Sequence, residues 1–234
     1  MTDPVQLTDF QVQVARAFFS PPASQSFLLA GGAALAAQAL TTRLTQDLDF
    51  FTDQPASVLP ALKALEHEAS RRGWTVDRHR EGTSFYRLTV HGPGDLEVEV
   101  DLALDSRPGM PPTMTVLGPS YAPEELAGRK VVALFDRAYA RDLADVYMLV
   151  QRFGTAILLE QAASVDQSFD HAVLADMIRG RLANVGDDEL PVPDPAALRA
   201  FYAAWAVQLS ASPLALEPAP DAPTPRTPRP RLSP

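Results

Sequence analysis

The chain has 234 residues, with 20 lysines and arginines against 29 aspartates and glutamates, so its formal net charge is −9. It contains no cysteine, which excludes a disulfide scaffold, a cysteine nucleophile, an iron–sulfur cluster and a thiolate zinc site. The acidic balance argues against a general nucleic-acid coat protein, but it allows an enzyme that binds one RNA through a local basic patch. No secretory signal and no membrane-spanning stretch is visible, so we expect a cytoplasmic protein with no membrane partner.

The first half of the chain mixes predicted helices and strands. Apolar residues at helical spacing predict helices over 4–19 and 56–72, and helix-forming residues predict another from the glycine pair at 31–32 to about Arg43. A short apolar run, FLLA, precedes the glycines, and strands are predicted for DLDFFT, WTVDRHR, SFYRLTVHG and LEVEVDLAL. Because the turns between the last three runs are short, we expect an antiparallel meander there rather than a parallel βαβ sheet.

The second half of the chain is predicted to be helical. Helices are expected at about 123–139, 141–153, 155–163, 171–181 and 195–209. From Pro213 to Pro234 proline recurs every second or third residue, which predicts a disordered or polyproline-like tail. We therefore expect an α+β protein with an α/β domain over 1–112, a helical domain over 113–212 and a tail over 213–234.

Three aspartates stand where they could bind a metal ion. Asp47 and Asp49 are two residues apart in DLDFFT, so on a strand they project from one face, about 7 Å apart along the chain. Asp101 lies on the polar side of LEVEVDLAL and joins them if the two strands are neighbours. Hard oxygen ligands of this kind suit Mg²⁺ or Mn²⁺, and a two-metal site activates a hydroxyl while it holds a triphosphate. An Asp-x-Asp pair alone is also common on solvated strand edges.

The glycine pair supplies a second candidate site. Gly31 and Gly32 open a predicted helix, where unblocked backbone N–H groups suit the β and γ phosphates of a nucleotide. A glycine pair alone is usually a turn. The specific signal is the order of the features: the glycines, a helix, Arg43, the Asp-x-Asp strand and then a third aspartate.

Two segments resemble a known family. FLLAGGAALAAQALTTRLTQDLDFF resembles the first motif of the nucleotidyltransferase superfamily that includes DNA polymerase β, and more narrowly that of the AbiEii/AbiGii-type nucleotidyltransferase toxins. ELAGRKVVALFDRAYARDLADVYML is similar to the downstream pattern of that toxin family. The residues that carry this second match are Lys130, Arg137, Arg141, Asp142 and Asp145.

The resemblance implies a fold and an activity. It implies a polymerase-β-like nucleotidyltransferase, with a mixed or antiparallel sheet and flanking helices followed by a helical half. Such an enzyme transfers NMP from ATP, CTP, GTP or UTP to an acceptor and releases pyrophosphate. The implied metal ligands are Asp47, Asp49 and Asp101, and the implied nucleotide-binding residues are Gly31, Gly32, Arg43 and Lys130. A catalytic carboxylate is also implied at Asp142 or Asp145, without a choice between them.

The resemblance further implies a toxin of a type IV toxin–antitoxin or abortive-infection system. The tRNA 3′ end is then the leading acceptor, and a cognate antitoxin is a possible partner. Two alternatives remain: an antibiotic-type enzyme that modifies a small molecule, and an inactive protein that only binds nucleotide or a partner. An RNA acceptor predicts a basic rim on the cleft, whereas a drug acceptor predicts an acidic pocket. Basic residues that could meet an RNA backbone are Arg71, Arg72, Arg78, His79, Arg80 and Arg87.

Overall fold

A computed structural model describes residues 7–211 of the chain. Over this range a mixed sheet occupies the first half and helices occupy the second, so the predicted fold class is confirmed. The expected tail from Pro213 lies outside the described residues. The strands are β1 Leu28–Ala30, β2 Asp47–Thr52, β3 Thr75–Glu81, β4 Phe85–His91, β5 Glu97–Leu104, β6 Thr113–Met114 and β7 Pro119–Ser120. The helices are α1 Asp9–Phe19, α2 Gly31–Ala37, α3 Val58–Arg71, α4 Pro123–Asp136, α5 Ala140–Phe153, α6 Thr155–Val165, α7 His171–Asn184 and α8 Pro195–Ala211.

The strands lie in the order β3-β4-β5-β2-β1-β7-β6. β3, β4 and β5 form the predicted antiparallel meander. β5 then runs parallel to β2, its non-sequential neighbour, so the sheet as a whole is mixed. β6 and β7, which the sequence pattern did not predict, extend the sheet past residue 112, and β7 pairs in parallel with β1.

The two faces of the sheet have opposite chemistry. Leu48 and Phe50 of β2 are fully buried, and Phe50 stacks on Phe18 of α1 with the ring centroids 3.9 Å apart. α1 and α3 both contact β5 on this apolar face. Since a slip of one residue would bring the aspartates of β2 into this core, the packing fixes the register that places them on the opposite, polar face.

The first helix begins at Asp9 rather than at Pro4. Thr8 and Gln11 form a capping box: the Thr8 hydroxyl accepts from the Gln11 backbone N–H, and the Gln11 side-chain oxygen accepts from the Thr8 N–H. This reciprocal pair satisfies donors that would otherwise be open at the helix start.

α2 ends at Ala37, well before the predicted end near Arg43. The Gln38 amide donates hydrogen bonds to the Ser120 hydroxyl and to the Tyr121 carbonyl, each at 3.0 Å. Ala39 then adopts a left-handed conformation with φ of 54°. A long-range contact therefore overrides the helix propensity of the local sequence.

The C-terminal helices pack on one another and on α4. α4 contacts α5, α6 and α7, and α8 packs on α7. The Tyr202 hydroxyl of α8 donates to the Leu143 carbonyl of α5 at 2.7 Å. Among the described residues, no helix combines the length and the apolar character needed to cross a bilayer.

Candidate active site

A row of directly paired residues crosses the polar face of the sheet. Arg87 of β4 pairs with Asp101 of β5, Asp101 pairs with Asp49 of β2, and Asp49 pairs with Ala30 of β1. Directly opposed residues share a face, with Cβ atoms about 4.5–5.5 Å apart. The strands that carry Asp47 and Asp101 are therefore neighbours, which was the condition for all three aspartates to share one site.

Asp49 lies against the glycine turn. Gly31 has a φ of 62°, and a Cβ atom on it would overlap the Asp49 carboxylate. This position therefore excludes a side chain for both steric and conformational reasons. Within residues 7–211, no hydrogen bond reaches the Asp49 carboxylate. Burial, reinforced by the neighbouring Asp47 charge and opposed by Lys130, raises the pKa of Asp49 to about 7.

The other two aspartates of the polar face have partners. Asp101 accepts both ends of an arginine fork, from Arg87 Nε at 2.8 Å and from Nη2 at 2.6 Å. Asp47 accepts from the Thr45 hydroxyl at 3.0 Å and from Arg141 Nη1 at 3.5 Å. Within the described range, accordingly, no three acidic or histidine side chains converge as a ready metal site.

Gly32 is also tightly enclosed. A Cβ atom on Gly32 would lie 2.6 Å from the Thr45 hydroxyl and 3.0 Å from Arg43 Nη2. Its backbone is thus held close to the loop that precedes β2. Because neither glycine has a Cβ atom, the backbone at one end of the cleft lies directly beside Asp49 and Arg43.

α4 and α5 supply the opposite wall. Asp145 is fully buried and accepts from Arg43 Nε at 3.1 Å and Nη2 at 3.0 Å. The Lys130 ammonium lies 2.9 Å from the same carboxylate. Burial opposes ionisation of Asp145, but the charges of Lys130 and Arg43 outweigh it and lower the pKa of Asp145 below its usual value.

Asp142 has a parallel arrangement one helical turn away. It is fully buried and accepts from Arg137 Nε at 3.0 Å and from the Tyr139 N–H at 3.3 Å. Lys130 Nζ is 4.0 Å from it. Neither Asp142 nor Asp145 lines the cleft; both lie behind cations that do.

Several cleft residues were not assigned by the sequence analysis. Arg87 belonged only to the basic cluster, and the period-2 alternation of β4 was the signal that could have placed it on the polar face. Three other arginines of that cluster form ion pairs with glutamates outside the cleft. Arg71 and Arg72 pair with Glu68, and Arg78 pairs with Glu66. The charged residues that line the cleft are Arg43, Arg87, Arg129, Lys130, Arg137 and Arg141, together with Asp47, Asp49 and Asp101.

Comparison with solved structures shows that the fold is shared with a nucleotidyltransferase toxin. JHP933 from Helicobacter pylori superposes with a TM-score of 0.54 at 19% identity, covering 88% of this chain and 94% of that one. A second structure from H. pylori gives a TM-score of 0.58 at 18% identity, covering 88% and 96%. MenT4, the nucleotidyltransferase toxin Rv2826c from Mycobacterium tuberculosis H37Rv, gives 0.50 at 17% identity, covering 88% of each chain. These likenesses show that the chain shares its overall fold with the three proteins.

The sequence match is more specific. Residues 14–227 match the family described as "Nucleotidyl transferase AbiEii toxin, Type IV TA system". Because this match spans most of the chain, the protein belongs to the AbiEii nucleotidyltransferase toxin family, and the predicted family and enzyme class are confirmed. Comparison with curated protein sequences finds no significant match.

Proposed function

We propose that the protein transfers NMP from an NTP to an RNA acceptor in a reaction that needs Mg²⁺ or Mn²⁺. One observation carries the proposal: the Asp49 carboxylate lies in register beside Asp101 and against Gly31, facing a cleft whose opposite wall carries Lys130. A carboxylate pair, a glycine turn and a buried lysine thus meet at one cleft.

The residues fit a divalent cation. Asp49 has a raised pKa and accepts no hydrogen bond within the described residues, so Lys130 and Arg141 compensate its charged form only in part. Asp47 and Asp49 would hold the cation, and Asp101 would join them once it leaves Arg87. A divalent cation here would activate the acceptor hydroxyl and offset the charge of the triphosphate.

The chain's own groups would hold and orient the triphosphate. The turn at Gly31 and Gly32 brings backbone close without a Cβ atom, which lets a phosphate approach. Lys130 and Arg43 face the cleft while Asp145 holds them from behind. Cations fixed in this way stabilise charge that develops on the transferring phosphoryl group without reorganising. Asp145 and Asp142 are therefore positioning residues in this proposal.

The charges at the cleft favour RNA over a cationic drug as acceptor. Among the described residues, six cationic side chains line the cleft against three acidic ones, in a chain whose net charge is −9. Arg137 and Arg141 each keep 44% of their side chain exposed, so they remain available to a phosphate backbone. The tRNA 3′ end is the acceptor that we favour, and we expect a cognate antitoxin to relieve the toxicity.

Incubation with each α-labelled NTP, total RNA and Mg²⁺ tests the proposal. We expect label in RNA, with one nucleotide preferred, and none when EDTA replaces Mg²⁺. Label on a small molecule added in place of RNA, with none in RNA, would favour the antibiotic-type alternative. Absence of label in either acceptor would favour an inactive nucleotide-binding protein.

A further inference from the structure

Arg87 holds the carboxylate that the metal site needs. Its guanidinium engages both oxygens of Asp101, and Nε also lies 3.4 Å from Glu99 Oε1. A fork of this kind is stronger than a single-ended ion pair and occupies acceptor sites on both oxygens. A cation and Arg87 therefore compete for the same carboxylate.

Arg87 also faces the cleft, with 42% of its side chain exposed. Its guanidinium can thus rotate towards an anion in the cleft without crossing packed core. Planar guanidinium groups suit phosphate oxygens as well as carboxylates. A triphosphate and Asp101 therefore compete for the same arginine.

The other cleft cations do not engage both oxygens of a proposed metal ligand. Lys130 and Arg43 pair with Asp145, which does not line the cleft. Arg129 is held by Asp105 and Glu125, and Arg137 is held by Asp142. Arg141 meets another proposed metal ligand, Asp47, but only through a single contact at 3.5 Å. Within residues 7–211, Arg87 is therefore the cleft cation that forks a proposed metal ligand.

We propose that Arg87 couples the binding of the metal ion to the binding of the triphosphate by exchanging partners. Without nucleotide, Arg87 holds Asp101 and weakens the metal site. When both ligands are present, Asp101 turns to the cation and Arg87 turns to a phosphate, so neither charge is left unpaired. The inference rests on the proposed function, because it uses the same metal site and the same triphosphate.

Binding measurements on the full chain without nucleotide test the exchange. Mn²⁺ binding is followed by the EPR signal of the free ion, and tripolyphosphate binding in EDTA is followed by calorimetry. We expect Arg87→Lys and Arg87→Ala to bind Mn²⁺ at least ~5-fold more tightly than wild type, the low end of typical coupling between sites. We expect Arg87→Ala to bind tripolyphosphate at least ~5-fold more weakly.

Arg87→Lys separates the fork from simple charge, because lysine keeps the charge but has no planar pair of nitrogens to match both oxygens. The matched control is Arg78→Lys, since Arg78 of β3 forks Glu66 of α3 at 2.6 and 2.8 Å but lies outside the cleft. Unchanged Mn²⁺ affinity in Arg87→Lys, or an equal change in Arg78→Lys, would overturn the exchange. Equal Mn²⁺ binding by wild type and Asp49→Asn would instead remove the metal site, and with it the proposed function.

Discussion

The Lys130 ammonium lies 2.9 Å from Asp145, and the same carboxylate receives the guanidinium fork of Arg43. Lys130 comes from α4, Arg43 from the loop after α2, and Asp145 from α5. One buried anion thus orients two cations from separate elements towards the cleft.

Asp145→Asn should remove the charge that positions both cations. We expect stability to fall by about 3 kcal/mol, because breaking a buried ion pair leaves a buried charge uncompensated. Nucleotide transfer should fall at least ~30-fold as the cations lose their orientation. Urea unfolding and kcat/KM for the NTP measure the two effects. Asp176→Asn is the control, since Asp176 is exposed and, among the residues that the structure describes, pairs only with Arg179. A twofold or smaller loss of activity in Asp145→Asn would contradict the positioning role.

Lys130→Ala should reduce transfer, and Lys130→Arg should restore it only in part. Loss of one charged phosphate contact removes about 2–4 kcal/mol of transition-state stabilisation, or roughly 30- to 1000-fold in rate. Arginine is wider and planar, so it should misplace the triphosphate. Kinetics of the purified variants, with circular dichroism as a check on folding, make the comparison.

The matched control is Lys63→Ala, which removes the other lysine of the sequence from the exposed side of α3. Its activity should equal that of wild type. If Lys130→Ala also stays within twofold of wild type, the lysine does not act on the nucleotide.

Asp49→Asn should stabilise the metal-free protein at high pH. The pKa of Asp49 is about 7 in the folded protein against 3.8 ordinarily, so the folded state binds more protons between these values and wild-type stability falls as pH rises through that window. The amide carries no charge and avoids the fall. We expect the variant to gain roughly 1–3 kcal/mol over wild type at pH 8 and much less at pH 4.

Urea unfolding in EDTA at pH 4, 6 and 8 measures this effect. Asp77→Asn, at an exposed carboxylate of β3, should show no such gain. A loss of stability in Asp49→Asn at pH 8 would contradict the unfavourable burial of the charge.

Gly31→Ala should abolish transfer, because the new methyl group would displace the Asp49 carboxylate. Gly73→Ala is the control for backbone strain alone. Gly73 also has a positive φ, 74°, but a Cβ atom there meets nothing within 4 Å. Each variant should lose about 1 kcal/mol from strain, and only Gly31→Ala should lose activity. Comparable activity in both variants would show that the space beside Asp49 is not needed.

The sequence predicted the elements better than their long-range pairing. The alternation of DLDFFT placed Leu48 and Phe50 in the core and Asp47 and Asp49 opposite, as the structure has them. The meander followed from its short turns. The sequence did not predict that β5 pairs with β2; it predicted only that Asp101 would join the site if the two strands were neighbours. The pairing joins segments about 50 residues apart, and its register depends on tertiary packing.

The partners of the site residues were beyond the reach of the sequence. Arg87 is 14 residues from Asp101, and only the register of β4 on β5 brings them together. Likewise, the downstream motif identified Asp142 and Asp145 but not which cation each one holds. That choice depends on how α4, α5 and the loop at Arg43 pack, which is a property of the folded chain.

In the proposed function, Asp47 and Asp49 serve a metal-dependent transfer from an NTP. The most direct measurement is label transfer from the preferred α-labelled NTP to RNA in Mg²⁺, for wild type, Asp47→Ala, Asp49→Ala and the exposed control Asp77→Ala. We predict transfer by wild type and by the control, and none above background by either site variant, with circular dichroism spectra unchanged. Transfer at the wild-type rate by both Asp47→Ala and Asp49→Ala would contradict the account.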